Sequence, residues 1–265
     1  MDFRFPDDMP RYWFRGNPWI THFLNGLSAV FPDGERFFID SVRHFQDRIE
    51  DPELKKQVRG FIGQEANHGK EHEAFNALLE KRFGVPMSKI STYVLKRMAR
   101  LRREMSPERQ LAATIALEHF TAILANQLLQ HPEVMDELEA TYGEMFMWHA
   151  VEETEHKAVA FDVYQQVSGD YGMRVRAMAI ATVMFTAHQF AFMLWFVTRD
   201  GKLTDLKGLA GLVKFLLIEP GPMRKMLPDY LDYYKRDFHP WQHDNRALIG
   251  AMVEKLRDRE LRSAA

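Results

Sequence analysis

The sequence contains no cysteine in its 265 residues. Disulfides, cysteine-ligated zinc, iron–sulfur clusters and thiol nucleophiles are therefore all excluded. A basic excess is also missing, because 35 Lys and Arg residues face 37 Asp and Glu residues. Nucleic-acid-binding proteins usually have such an excess, so nucleic acid is not an expected partner. Any metal site must use Asp, Glu and the 11 His residues.

Strand patterns and an N-terminal apolar run of signal-peptide length are lacking as well, so a cytoplasmic protein is the expectation. Apolar residues make up 46% of the chain, which is enough for a sizeable core. Pro and Gly divide the chain into long helical segments. The sequence predicts one all-α domain over 1–265, with a four-helix bundle at about 34–168 and an apolar helical extension and tail at about 171–265.

Helix boundaries follow from capping signals. Pro32 is predicted to interrupt the chain, with Asp33 as the N-cap of the first bundle helix. Asp51 and Gly84 are predicted to begin and end the second. Three more helices are predicted at about 89–103, from Pro107 to before Pro132, and at about 132–167.

The extension contains a stretch, residues 177–198, without a charged side chain. About 20 apolar residues suffice to cross a bilayer. However, Thr182, Thr186, His188 and Gln189 fall inside the stretch, and polar groups in mid-span are unfavourable in lipid. We therefore favour a buried fifth helix, or one at an interface between two copies of the chain. The alternative is membrane association through residues 177–218.

The chemistry-bearing residues lie on the predicted second and fourth bundle helices. The second carries Glu65-x-x-His68, followed one turn later by His72, and the fourth carries a His-x-x-x-Glu-x-x-His pattern. At about 100° per residue, each trio falls within an arc of ~60° on its helix. These polar groups share a face with apolar residues, and buried charge is unfavourable unless it is paired or metal-bound. The trio of the fourth helix is His149, Glu153 and His156.

Two further glutamates complete the pattern. Glu35 lies on the predicted first helix and Glu118 on the third. The order is then Glu, Glu-x-x-His, Glu, Glu-x-x-His, with one element on each helix. This order is typical of four-helix proteins that bind two metal ions. Four carboxylates offset the charge of two divalent cations, so such a site is tolerated in a protein interior.

These motifs resemble known families. The layout over residues 30–168 is similar to the ferritin-like di-iron oxidases and oxygenases, and the added His149 is similar to their N-oxygenase branch. Over nearly the whole chain, the sequence resembles a bacterial family catalogued as predicted metal-dependent hydrolases. That second resemblance rests on three segments, which are Phe31-Pro32-Asp33-Gly34-Glu35-Arg36-Phe37-Phe38, Gln64-Glu65-x-x-His68 and Phe238-His239-Pro240-Trp241.

The resemblance implies a set of metal ligands. His149 is implied as a seventh ligand, or else as a group bonded to a ligand carboxylate. His72 is expected to support a ligand, and Glu152 lies near the metal face, where it could exchange roles with Glu153. One departure from the family pattern is that Glu35 follows closely on Pro32. The six core ligands implied are Glu35, Glu65, His68, Glu118, Glu153 and His156.

The leading functional hypothesis is a non-haem di-iron oxidase or oxygenase that activates O₂ on a hydrophobic small molecule, with an electron-donor protein as partner. A metal-dependent hydrolase, in which hydroxide between the same two metals attacks an ester or amide, is the alternative. A non-catalytic iron-binding protein and a metal-free membrane-associated protein are further alternatives. Iron is the expected metal, with manganese or zinc as alternatives. Five residues are predicted to line the substrate pocket: Phe61, Ile62, Thr114, Ile115 and Met145.

Overall fold

The computed structural model describes residues 3–6, 8–136, 138 and 140–263. Within these ranges the chain is helical without strands, which confirms the all-α prediction. Two short 3₁₀ turns, at 46–48 and 240–242, join the longer elements. The helices are α1 (Pro18–Arg43), α2 (Pro52–Phe83), α3 (Met87–Glu104), α4 (Pro107–Gln130), α5 (Glu133–Asp136), α6 (Ala140–His156), α7 (Val159–Val167), α8 (Tyr171–Arg199), α9 (Leu206–Leu217), α10 (Pro222–Lys225), α11 (Leu227–Asp232) and α12 (Arg246–Ser263).

The first helix contradicts the predicted break at Pro32. α1 begins after the N-cap Asn17 and continues through Pro32 to Arg43. A proline has no N–H, so the carbonyl of Ser28, four residues earlier, loses its helical partner. The amide Nδ2 of Asn76 on α2 donates to that carbonyl at 2.8 Å and replaces the missing bond. Asp33 is therefore not an N-cap.

Both ends of α2 and the start of α4 agree with the prediction. Asp51 accepts a hydrogen bond from the backbone N–H of Glu53, and Gly84 ends α2 with a φ of 67°. The positive φ explains the glycine, since residues with a Cβ seldom adopt it. Ser106 caps α4 and Pro107 occupies its first turn.

The predicted single helix over 132–167 is divided. The short α5 precedes α6, residues 137 and 139 lie outside the described residues, and a turn at 157–158 separates α6 from α7. At that turn Lys157 leaves the helical pattern and donates to the carbonyl of His243 and to Asn245 Oδ1. The tail is thereby attached to the end of α6.

Helices α1, α2, α4 and α6 form a bundle with a polar layer between two apolar clusters. On α2, Val58 and Phe61 belong to one cluster, while Phe75 and Leu79 belong to the other. The buried polar residues of α2 between them lie in the stretch 65–72. α1 and α4 also contribute to both clusters, whereas α6 contributes to the cluster of Phe75 and the following α7 to the cluster of Phe61. α3 connects α2 to α4 on the outside of the bundle.

The long helix α8 packs against α1 and α4. It is the one described helix long and apolar enough to cross a membrane, and 33% of its most apolar stretch is buried. The predicted burial of this helix is therefore only partial, because Ile180, Val183, Phe190 and Leu194 remain exposed. The inner face of α8 covers one side of the bundle beside the polar layer.

Candidate metal centre

The polar layer brings together all seven of the Glu and His residues implied as ligands. α1 supplies one residue, α2 two, α4 one and α6 three. Each of the seven is at most 5% exposed, so none is a solvated surface group. They are Glu35, Glu65, His68, Glu118, His149, Glu153 and His156.

The close approach of α1 and α2 depends on a glycine. A Cβ at Gly69 would lie 3.2 Å from Oε2 of Glu35 and 3.7 Å from Cα of Pro32. The separation from Glu35 is tighter than an ordinary van der Waals contact. The absence of a side chain at position 69 therefore allows Glu35 to reach the layer.

One cluster combines Glu35, His68, His149 and Glu153, with one donor atom from each residue within 4.8 Å of the others. His149 Nε2 lies 2.9 Å from Glu153 Oε1 and 3.9 Å from Glu35 Oε1. His68 Nδ1 lies 3.5 Å from the same Glu153 oxygen.

A second cluster combines Glu65, Glu118, Glu153 and His156 within the same 4.8 Å limit. His156 Nε2 lies 3.0 Å from Glu65 Oε1, 3.6 Å from Glu118 Oε2 and 3.7 Å from Glu153 Oε2. Glu153 thus belongs to both clusters, with Oε1 directed to one and Oε2 to the other. A carboxylate in this position is suited to bridge two cations.

Several atoms of the layer that could bind a metal lack hydrogen-bond partners among the described residues. Both carboxylate oxygens of Glu35 and of Glu118 are buried without a hydrogen-bond donor, and Nδ1 of His68 is buried without a hydrogen-bond partner. Burying unpaired carboxylates is strongly unfavourable unless a cation or proton compensates. Oxygen and imidazole donors of this kind are the ligands of iron, manganese and zinc.

The pKa values reflect the crowding of carboxylates. Burial, together with the charges of Glu65 and Glu153, raises the pKa of Glu35 and of Glu118 well above the ordinary value. Burial alone would also raise the pKa of Glu153, but contacts with three histidines lower it well below the ordinary value. Without a cation the layer therefore holds protons, which a metal would displace.

The pKa values of the histidines also shift in opposite directions. Burial lowers the pKa of His68, but the hydrogen bond to Glu152 and the nearby carboxylate of Glu153 outweigh it and raise the pKa to about 9. Burial and the nearby His68 lower the pKa of His149 to about 4. His149 is therefore neutral at pH 7, and its two ring nitrogens have different roles.

A hydrogen-bond chain determines which nitrogen of His149 carries the proton. Ser28 Oγ donates to Asn76 Oδ1 at 2.7 Å and must therefore accept from His72 Nδ1, at 2.9 Å. Burial holds the pKa of His72 well below its ordinary value, so His72 is neutral and its Nε2 is left to accept from His149 Nδ1, at 2.7 Å. His149 Nε2 then faces the centre of the first cluster, where a cation would be its partner.

Outside the clusters, Glu152 and Gln64 orient two histidines. Glu152 Oε2 lies 3.0 Å from Nε2 of His68, so His68 directs Nδ1 inward. Gln64 Oε1 lies 3.3 Å from Nδ1 of His156, so His156 directs Nε2 inward. The structure thus places Glu153, and not Glu152, in the clusters. Sequence reasoning missed the roles of Ser28 and Asn76, because no local pattern relates residues so distant along the chain.

Two apolar pockets meet at the layer. The first, the α9 pocket, encloses about 170 Å³ between α1, α4, α6 and the chain around α9 and α10, and it reaches His149 and Glu153. The second, the α8 pocket, encloses about 230 Å³ between α1, α3, α4 and α8, and it reaches Glu35 and Glu153. Both volumes exceed the ~150 Å³ of an engineered cavity that binds benzene.

The pocket walls differ from those predicted. Phe31, Thr121 and Phe185 line both pockets. The five residues predicted from sequence do not line either one: Phe61 and Ile115 belong to the apolar cluster below the layer, and Met145 to the cluster above it. α8 supplies much of the wall, which the periodicity of the four bundle helices does not reveal.

Comparison with known proteins gives a family. A family model described as "Predicted metal-dependent hydrolase" matches residues 1–244, which is most of the chain. No curated protein and no solved structure matches the chain.

Proposed function

Because the chain belongs to the family of predicted metal-dependent hydrolases, we propose that it is a hydrolase with a dinuclear metal centre in its Glu/His layer. The observation that carries the proposal is the pair of buried clusters that share Glu153. Buried carboxylate oxygens that accept no hydrogen bond, such as those of Glu35 and Glu118, are suitable ligands for divalent cations.

The seven ligands divide between two ions. We assign three residues of the first cluster to one ion, and Glu65, Glu118 and His156 of the second cluster to the other, while Glu153, which belongs to both clusters, would contact both ions. When bound, the ions supply Lewis acidity and an activated water for attack on a carbonyl. Iron remains the expected metal, with manganese and zinc as alternatives. The three residues of the first ion are Glu35, His68 and His149.

The protein itself binds and shields the substrate. The α8 and α9 pockets are lined almost entirely by apolar side chains, so they suit a hydrophobic ester or amide. Phe31 packs edge-on against His72 and His149, with ring centroids 4.8 and 5.0 Å apart. Phe31 and Phe185 thereby restrict water near Glu153, which strengthens electrostatic interactions at the centre.

A second candidate is a di-iron oxidase or oxygenase. It is supported by four glutamates and two histidines on four helices, a set typical of carboxylate-bridged di-iron proteins, to which His149 is an addition. The apolar pockets also suit oxidation of an unactivated hydrocarbon group. This function needs O₂ and an electron donor, whereas hydrolysis needs neither.

The first experiment is metal analysis of the purified protein and of protein reconstituted separately with Fe²⁺, Mn²⁺ and Zn²⁺. We expect about two ions per chain in the wild type and fewer in Glu153→Gln. Glu73→Gln is the matched control, because Glu73 lies on α2 with its side chain 52% exposed. An absence of bound metal after reconstitution overturns the dinuclear centre.

The two activities are then separated by oxygen. Reconstituted protein is assayed with p-nitrophenyl esters of increasing chain length under anaerobic conditions, and the reduced iron form is mixed with O₂ while oxygen consumption is followed. Anaerobic ester turnover that is lost in Glu153→Gln supports hydrolysis. Oxygen consumption without ester turnover supports the oxidase.

We propose peripheral membrane contact through α8 and α9 as the route of hydrophobic substrates to the pockets. α9 also has exposed apolar residues, at Leu206, Val213 and Leu217. Exposed apolar patches are typical of interaction faces. A cytoplasmic location with this contact stays a prediction.

A further inference from the structure

The α8 pocket contains a cation that none of the described residues neutralises. Arg97 on α3 is half-buried in the pocket wall. Among the described residues, its guanidinium has no ion pair or hydrogen bond. The next arginines on the same helix differ, because Arg100 pairs with Glu104 and Arg102 pairs with Asp40.

The position of Arg97 follows from the face that α3 presents. Val94, Met98 and Leu101 line the same pocket. Val94 and Leu101 lie three and four residues from Arg97 and so on the same side of the helix. Arg97 is thus directed to the pocket by helical geometry, while its neighbour Lys96 is exposed.

Two other polar groups in the outer wall are paired with each other. Tyr93 on α3 and His188 on α8 lie 2.7 Å apart, from the tyrosine hydroxyl to Nε2. His188 Nδ1 lies 2.5 Å from the carbonyl of Met184, so Nδ1 carries the proton and Nε2 accepts from Tyr93. Among the described residues of the pocket lining, Arg97 is therefore the cationic group that remains available to an anionic ligand.

A half-buried guanidinium in an apolar wall is unfavourable without an anion, and its planar donors suit a carboxylate or a phosphate. The inner wall, by contrast, presents the carboxylates Glu35 and Glu153. An anion is therefore favoured at Arg97 and disfavoured at the inner wall unless cations are bound there.

We propose that the α8 pocket binds a single-chain amphiphile whose anionic head group pairs with Arg97 and whose apolar chain lies along α8. The pocket-lining residues of α8 extend from Ala177 to Phe192, which is about 22 Å of helix at ~1.5 Å per residue. The inference rests on the proposed function only in taking this pocket as the substrate site. The ester or amide that is hydrolysed then lies away from the head group, towards Glu35 and Glu153.

The test compares dodecanoate with dodecan-1-ol, which share a chain and differ in charge. Binding is measured by calorimetry on metal-free and metal-loaded protein below the aggregation limit of either ligand. We expect wild-type protein in both forms to bind dodecanoate about tenfold more tightly than the alcohol, as for a charge-assisted hydrogen bond. Arg97→Gln removes that preference and leaves binding of the alcohol unchanged.

Arg103→Gln is the matched control, because it removes the same charge from an exposed position on α3. This variant is expected to keep the preference for dodecanoate. Equal binding of both ligands by the wild type overturns the proposal, as does a preference that survives in Arg97→Gln. A preference that needs bound metal and not Arg97 places the head group at the metal centre instead. Failure of the proposed hydrolase leaves the preference of metal-free protein intact, so the two failures are distinguishable.

Discussion

Nε2 of His72 lies 2.7 Å from Nδ1 of His149, and this contact determines which ring nitrogen of His149 faces Glu153. The hydroxyl of Ser28 holds the far side of His72. A residue outside both clusters thus determines the form in which a candidate ligand is presented. Such supporting bonds commonly change metal affinity by about 10–100-fold.

Ser28→Ala is expected to weaken metal binding at the first cluster by about tenfold or more, because His72 loses its fixed tautomer. The measurement is a competition titration with a metal chelator. Ser41→Ala on the same helix is the control, since Ser41 is equally buried but bonds to the carbonyl of Phe38 and to Thr114 Oγ1. An equal loss of affinity in the two variants contradicts a specific role for Ser28.

Glu153→Gln and Glu118→Gln are expected to differ in metal stoichiometry. Glu153 belongs to both clusters and Glu118 to one. The first substitution should therefore reduce binding of both ions, and the second should leave about one ion per chain. Elemental analysis after reconstitution measures the difference. Identical stoichiometry in the two variants shows that Glu153 is not shared.

Metal affinity is expected to rise with pH up to about 9. Below its pKa of about 9, His68 carries a proton that a metal must displace. The raised pKa values of Glu35 and Glu118 act in the same direction. Each displaced proton lowers the apparent affinity about tenfold for each pH unit below the pKa. Titrations between pH 6 and 9 measure the slope, and Glu152→Gln should make it shallower by removing an anionic partner of His68. A metal affinity that does not change between pH 6 and 9 contradicts this prediction.

Gly69→Ala is expected to disturb the first cluster, since the new methyl group would lie 3.2 Å from Glu35 Oε2. Gly63→Ala on the same helix is the control, because its Cβ meets no atom within 4 Å. The control should be neutral or more stable by up to ~1 kcal/mol, from helix propensity. Thermal unfolding and metal content of both variants distinguish the two positions, and normal metal content in Gly69→Ala contradicts the expected crowding.

Replacing Val183 and Phe190 together by serine is expected to weaken sedimentation with vesicles of mixed neutral and anionic lipids. Both side chains are exposed on α8, at 61% and 39%. The loss follows from the smaller apolar area available to lipid. Sedimentation velocity on the same samples tests the other occupant of this face: a dimer that dissociates in the variant, without vesicle binding in the wild type, contradicts membrane contact.

Local signals were sufficient for the bundle and for the set of Glu and His residues that meet in the polar layer. Asp51 begins α2 and Gly84 ends it, as their residue types predict. The Glu65-x-x-His68 spacing places both side chains in the layer. These predictions depend on helical geometry within a few residues. They therefore need no knowledge of which helices are neighbours.

Predictions that depend on distant contacts failed or were incomplete. The break at Pro32 was wrong because Asn76, on another helix, supplies the missing hydrogen bond. The pocket walls were misplaced because α8 packs beside the bundle and contributes residues such as Phe185. Burial of α8 was overestimated because composition does not show how much of a helix its neighbours cover.

The amide of Asn76 serves two neighbours at once, since its Nδ2 repairs α1 at Pro32 and its Oδ1 holds Ser28. Helix integrity and the presentation of His149 are therefore linked through one side chain, and sequence change at position 76 is subject to two selective pressures. In a relative with a non-proline residue at position 32, the carbonyl of residue 28 recovers its own helical partner and one of those pressures disappears. Positions 28, 32 and 76 should accordingly change together during divergence of the family.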